Sequence, residues 1–117
     1  MVRILLAESE PHLRRLLREE LEDEGYEVLV TGRGADVAGL LDSYQPDVVV
    51  LEILLSDMSG LETGRIVKGT HRGIRVVYHS NCRPPRDLSS WGGDDYVFKS
   101  ADLDRLKKVV HRLAPAA

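Results

Sequence analysis

Apolar positions in this chain change period several times. Blocks of consecutive aliphatic residues, Ile4-Leu5-Leu6-Ala7, Val48-Val49-Val50-Leu51 and Val76-Val77-Tyr78, alternate with stretches where apolar residues return every three or four positions. An unbroken, mostly β-branched block bounded by turn residues predicts a strand buried on both faces. Leu13, Leu16, Leu17 and Leu21, with Arg14, Arg15, Arg18, Glu19, Glu20 and Glu22 between them, predict an amphipathic helix. Pro11 suits its first turn and Gly25 its end. Glu27 to Thr31 predicts a second strand, and Gly32 and Gly34 the turn after it. Ala35 to Tyr44 predicts a helix with Val37, Leu40 and Leu41 inward, stopped before Pro46. A third strand over Asp47 to Leu51 leads, past Gly60, to a short helix around Leu61 to Lys68. Strands over Arg75 to His79 and Tyr96 to Phe98 follow. A last helix then carries Leu103, Leu106, Val109, Val110 and Leu113 on one face, with Ser100 placed to cap it and Lys107, Lys108 and Arg112 toward its end.

Strands alternating with helices predict an α/β fold with a parallel sheet. Five strands in so short a chain fit the three-layer, doubly wound, flavodoxin-like arrangement with strand order 2-1-3-4-5. The exception is Ser80 to Asp95, where Pro84-Pro85, Ser89-Ser90 and Gly92-Gly93 leave little room for a helix. The fourth helix of the pattern is therefore expected to be shortened or irregular. One domain is expected over residues 1–113, with 114–117, Ala-Pro-Ala-Ala, as a tail or the start of a linker.

Composition narrows the function. The 16 Lys and Arg residues are scattered and the net charge is −3, so no nucleic-acid footprint stands out. No apolar run approaches the ~20 residues that cross a membrane, and the start of the chain lacks a signal-peptide shape. Cys82 is the single cysteine, and His12, His71, His79 and His111 have no metal-ligand spacing. The expectation is a cytoplasmic module without a cofactor.

Glu52 carries the most information. It follows a buried strand directly, and open parallel sheets gather their chemistry at the carboxyl ends of strands. Around it, Asp47-Val48-Val49-Val50-Leu51-Glu52 runs into Ile53-Leu54-Leu55-Ser56-Asp57-Met58-Ser59-Gly60. Three further segments lie at matching intervals: Ala7-Glu8-Ser9-Glu10-Pro11, Val76-Val77-Tyr78-His79-Ser80 and Gly92-Gly93-Asp94-Asp95-Tyr96-Val97-Phe98-Lys99. Together, over residues 2 to about 113, they resemble the receiver domain of bacterial response regulators (the CheY-like fold).

The resemblance implies roles. Glu52 takes the place of the family's phosphoacceptor Asp, and Glu8 and Ser9 that of its acidic pair. Ser80 and Tyr96 match the switch pair, and Lys99 the phosphate-contacting cation. Where the family expects Asp and Pro, this chain has Glu52 and Ser56. Family chemistry uses carboxylates around one Mg²⁺ while the Asp attacks phosphorus. Ser9 removes a metal-binding charge, and the extra methylene of Glu52 moves its oxygens by ~1.5 Å, a displacement that in-line transfer tolerates poorly. The expectation is thus a pseudo-receiver: not an enzyme, with Mg²⁺ binding weak or absent. It would act on protein partners such as a histidine kinase, a phosphotransfer protein, an output domain or another receiver. Trp91, alone in the irregular segment, is a candidate partner contact. Two other readings compete: a phosphorylatable regulator with a degenerate site, and a flavodoxin-like small-molecule binder. The second is weakened by the acidic Glu8-Ser9-Glu10 turn, which would repel phosphates.

Overall fold

The computed structural model describes residues 1–116. Its elements are β1 (Arg3–Ala7), α1 (Pro11–Asp23), β2 (Glu27–Thr31), α2 (Gly34–Tyr44), β3 (Val48–Leu51), α3 (Gly60–Thr70), β4 (Arg75–Ser80), β5 (Asp95–Phe98) and α4 (Asp104–Leu113). All pairings are parallel, and the strand order is β2-β1-β3-β4-β5. The sheet divides the core in two, as the period of two along a strand requires. Ile4, Leu6, Val48, Val50, Val77 and Val97 pack under α1 and α4 against Leu17, Leu21, Leu106, Val109 and Val110. Leu5, Ala7, Val49, Leu51, Val76 and Tyr78 pack on the opposite face against Val37 and Leu41 of α2 and Val67 of α3.

Two details depart from the expected pattern. Leu16 lies on the outer side of α1, 47% exposed, although its spacing fits the inward stripe. The last helix starts at Asp104 rather than near Ser100. The Ser100 hydroxyl accepts the Asp102 amide, and the Asp102 carboxylate then accepts the Asp104 amide, so two short turns precede the helix. Of the tail, residue 117 lies outside the described residues.

The irregular stretch before β5 holds only a 3₁₀ turn, Ser89–Trp91. No α-helix fills the place between β4 and β5. The chain collapses onto α3 instead. The Tyr78 hydroxyl, fully buried, donates to the Trp91 carbonyl at 2.5 Å. The Trp91 ring is half-buried and lies under the Arg65 guanidinium, 5.3 Å from the ring centroid. Asp94 fastens the end of the segment, accepting from Lys68 Nζ at 2.7 Å and from the Val76 amide at 2.8 Å. Gly64 makes this close approach possible, because a Cβ there would collide with the Tyr78 hydroxyl. Gly64→Ala should therefore destabilise the fold by about 1–3 kcal/mol, the usual cost of overpacking. Urea unfolding checks this, with Gly69→Ala, where a Cβ meets open space, as the control.

Candidate functional site

The register of the sheet brings the strand ends together. Ala7 lies beside Leu51, Leu51 beside Tyr78, and Ser80 beside Phe98. One residue further, Glu8, Glu52 and Lys99 extend the ladder. The Glu8 amide donates to the Thr31 carbonyl, Glu52 to Ala7 and Lys99 to Ser80, at 3.0, 3.0 and 3.1 Å. Each therefore has its backbone held by a neighbouring strand, and each follows by two the residues Leu6, Val50 and Val97 of the α1/α4 core face. That places their side chains at one corner of the sheet.

There Lys99 Nζ lies between the two carboxylates, 2.9 Å from Glu8 Oε1 and 2.5 Å from Glu52 Oε1. Side-chain exposure is 2% for Glu8, 8% for Glu52 and 17% for Lys99. The outer oxygens are used as well. Glu8 Oε2 accepts the Glu10 amide and Glu52 Oε2 the Leu54 amide, both at 3.0 Å. Burial opposes ionisation of Glu52, but the bonds from Lys99, Ser80 and the Leu54 amide outweigh it and hold the carboxyl below its ordinary range. Burial likewise opposes the charge on Lys99, and the two carboxylates overcome it and raise its pKa.

Local chemistry fixes the surrounding loops. Glu10 caps α1, accepting from the His12 and Leu13 amides, and Arg14 donates to the Glu8 carbonyl at 2.8 Å. After Glu52 the chain doubles back through a Leu54–Ser59 bridge. Gly60 allows this, since a Cβ there would strike the Glu52 carbonyl. Asp57 caps α2 from a distance, accepting the Gly34 and Ala35 amides at 2.9 Å each.

Residue types in this pattern match one family. The response regulator receiver domain matches residues 4–111. This chain belongs to the receiver domain family. Two curated relatives from Mycobacterium tuberculosis are the probable transcriptional regulatory protein TcrX and the transcriptional regulatory protein KdpE. TcrX is 30% identical over 95% of this chain and 50% of its own length, and KdpE 31% identical over 100% and 54%. The receiver domain thus spans about half the length of the curated relatives it matches. Among solved structures, TrrA of Thermotoga maritima, in complex with Mg(2+)-BeF, is 37% identical with a TM-score of 0.89, covering 97% of this chain and 99% of that one. TrrA in complex with the histidine kinase ThkA gives 35% and 0.87, covering 97% and 98%.

Within this receiver domain, the residues singled out from sequence divide into groups. Glu8, Glu52 and Lys99 are in direct contact, and the Ser80 hydroxyl is close enough to favour the charged form of Glu52. Ser9 is half-buried beside Glu8. Tyr96 is turned inward, 9% exposed, its hydroxyl donating to the Ser80 carbonyl at 3.2 Å and to the Cys82 carbonyl. Trp91 lies away from the carboxylates, against α3. His79 is buried next to this site at 3% exposure, with no partner for Nδ1. Its position two residues after Val77 in an apolar strand was the signal for burial.

The donor set does not fit Mg²⁺ as arranged. The inner carboxylate oxygens face an ammonium, the outer ones are taken by amides, and Ser9 adds no charge. Among the described residues no group of three or more His, Cys, Asp or Glu side chains is arranged to hold a metal ion. Nor is any described helix long and apolar enough to cross a membrane.

Proposed function

We propose that this receiver domain is a pseudo-receiver, a non-catalytic signalling module that works by docking to protein partners with little or no phosphotransfer at Glu52. The observation that carries this reading is the Lys99 ammonium lodged between Glu8 and Glu52. A phosphoryl donor needs an open carboxylate oxygen and a cation free to take up the new charge. Here both are already committed to each other. Glu52 acts as the phosphoacceptor equivalent, Glu8 and Ser9 as the acidic-pocket equivalents, and Lys99 as the phosphate-contact equivalent. Ser80 and Tyr96 are the switch equivalents, with Tyr96 held inward by backbone carbonyls rather than by a modification.

Such a domain keeps one conformation whatever the kinase input, because no ligand is left to bind its two states differently. Its partners would be a histidine kinase, a phosphotransfer protein, an output domain or another receiver, with no direct contact to nucleic acid. Residues 1–113 would form the module and 114–117 a tail or the start of a linker. Trp91 remains a proposed partner contact, supported by its half-exposed ring.

Incubation with acetyl phosphate and Mg²⁺ should leave the intact mass unchanged. Glu52→Asp combined with Ser9→Asp should gain a labile phosphoryl mass, because Ser80, Lys99 and the strand ends are already in place. A phosphorylated native chain would favour the rival reading, a conventional regulator with a degenerate site. A silent double variant would show that more than the carboxylates has been lost.

A further inference from the structure

The sheet has two free edges, and they are unlike. At β5 the Tyr96 amide donates to Asp95 Oδ1, Arg112 pairs with the same carboxylate, and the strand is short. Such features blunt an edge against pairing. β2, at the other edge, has no comparable protection. It runs Glu27-Val28-Leu29-Val30-Thr31 in unbroken register with β1, without proline, lysine or a bulge. The Glu27 amide donates to the Val2 carbonyl, and the Thr31 carbonyl accepts the Glu8 amide. Residues 27, 29 and 31 therefore turn their backbone groups toward β1. Alternation turns the N–H and C=O of Val28 and Val30 outward, where no hydrogen bond meets them among the described residues.

Beside this edge lies a groove of about 520 Å³, lined by Leu29, Val30, Leu40, Ala35 and Gly39. Its origin is topological. α2 connects β2 to β3, which lies beyond β1, so the helix crosses the sheet away from the edge. Leu29 is left half-buried. Charge differs between the two ends of the strand. At its end, Asp36 accepts the Thr31 hydroxyl at 2.7 Å and has no cation within ion-pair distance among the described residues. At its start, Arg3 lies beside Glu27 at 3.2 Å, its side chain 44% exposed.

We propose that β2 pairs antiparallel with β2 of a second copy of this chain, about a two-fold axis at Leu29, joining the two sheets into one. This register is self-complementary. Val28 lies opposite the copy's Val30 and exchanges both bonds with it, on each side of the axis, so every outward N–H and C=O finds a partner. Leu29 meets its own counterpart at the closer, non-hydrogen-bonded spacing, where the two grooves merge. Glu27 falls opposite Thr31, so no like charges are paired across the strands. The end of one strand meets the start of the other, which sets the unpaired Asp36 beside the copy's Arg3. A strand of unrelated sequence would gain the backbone bonds without the Leu29 contact or the Asp36–Arg3 match. Each chain has one bare edge, so the contact closes on itself as a dimer rather than a fibre. The inference goes beyond the pseudo-receiver reading and does not depend on it, because Glu52 and Lys99 take no part.

Sedimentation velocity of the full chain, from micromolar to about 0.5 mM, should show a reversible dimer. Val30→Pro removes an outward N–H and no bond to β1, so it should weaken the dimer at least tenfold while the monomer stays folded. Leu29→Lys sets two ammonium groups face to face at the axis and should weaken it as much, which keeps the test open if proline disturbs the strand. Leu29→Cys in a Cys82→Ser background should form an intermolecular disulfide on mild oxidation. Directly opposed Cα atoms at about 4.5 Å lie within disulfide reach. Glu62→Cys, exposed on α3, should not form one in the same background. Amide exchange at Val28 and Val30 should slow at least tenfold from dilute to concentrated protein, while exchange at Phe98 stays constant. A monomer at every concentration would overturn the proposal. So would a dimer that the folded variants leave intact, equal cross-linking by the Glu62→Cys control, or protection that appears at Phe98 instead of Val28.

Discussion

Lys99→Met should cost the fold about 3–5 kcal/mol at neutral pH, the scale observed when one partner of a buried ion pair is removed. The reason is the ratio of charges. One ammonium serves two carboxylates, and both are nearly inaccessible to water. Without it, Glu8 and Glu52 face each other with one amide donor apiece. They must then stay charged in an apolar corner or take up protons. Methionine keeps most of the side-chain volume, so loss of packing contributes little. Chemical denaturation between pH 5 and 8 measures the effect. The loss should be largest at pH 8 and shrink toward pH 5. In the variant Glu52 loses the Lys99 bond that holds its carboxyl down against burial, so the folded state binds more protons than the native chain does and the loss shrinks as pH falls. A pH-independent loss below 1 kcal/mol would mean that the pair is a surface contact in solution, and the fixed-conformation reading would lose its support.

That corner was largely legible in the sequence. Strand blocks and their order placed Glu8, Glu52 and Lys99 at one sheet edge, because parallel topology leaves few other arrangements. What the sequence did not resolve was which carboxylate Lys99 would choose. It meets both, since β1 and β3 are adjacent and end in register. That the fourth helix would be shortened or irregular was legible too, from Pro84-Pro85 and Gly92-Gly93, though not that only a 3₁₀ turn would remain. Its consequence was not. That Tyr78 would reach through to the Trp91 carbonyl depends on Gly64, which sits in a different element. Such long-range packing leaves no local periodicity to read. Leu16 misleads for the opposite reason: its spacing is right, but α1 presents only the Leu17 and Leu21 stripe fully to the sheet. Ser100 has the chemistry of a cap, yet Asp102 competes for the same role nearer the helix.

His79 supplies the second large effect, and it runs in the opposite pH direction. Burial pushes its pKa down from 6.5 to about 4, the Lys99 charge adds to this, and Glu52 offsets only part. The ring is neutral in the folded chain at pH 7. The unfolded chain takes up a proton near the ordinary value, so between about pH 6.5 and 4 the unfolded state binds more protons and stability falls with pH. By pH 4.5 the native chain should have lost about 2 kcal/mol relative to pH 7 on this account alone. The lowered carboxyls of Glu52 and Asp94 act in a lower window, below their ordinary values of 4.5 and 3.8, so the two contributions separate on a pH axis. His79→Val should flatten the profile above pH 5. It should also leave the protein no less stable at pH 7, because it removes a buried nitrogen that has no partner. Urea midpoints at pH 7 and 5 for both proteins decide this. An unchanged slope would place the acid sensitivity in the carboxylates instead. The two variants are coupled through Glu52. Without the Lys99 ammonium beside it, His79 loses a repulsion. Lys99→Met should therefore raise the imidazole pKa, which direct titration of the His79 ring protons by NMR would detect. A rise shows that histidine, lysine and carboxylates share one electrostatic site, and no change shows that His79 titrates apart from it.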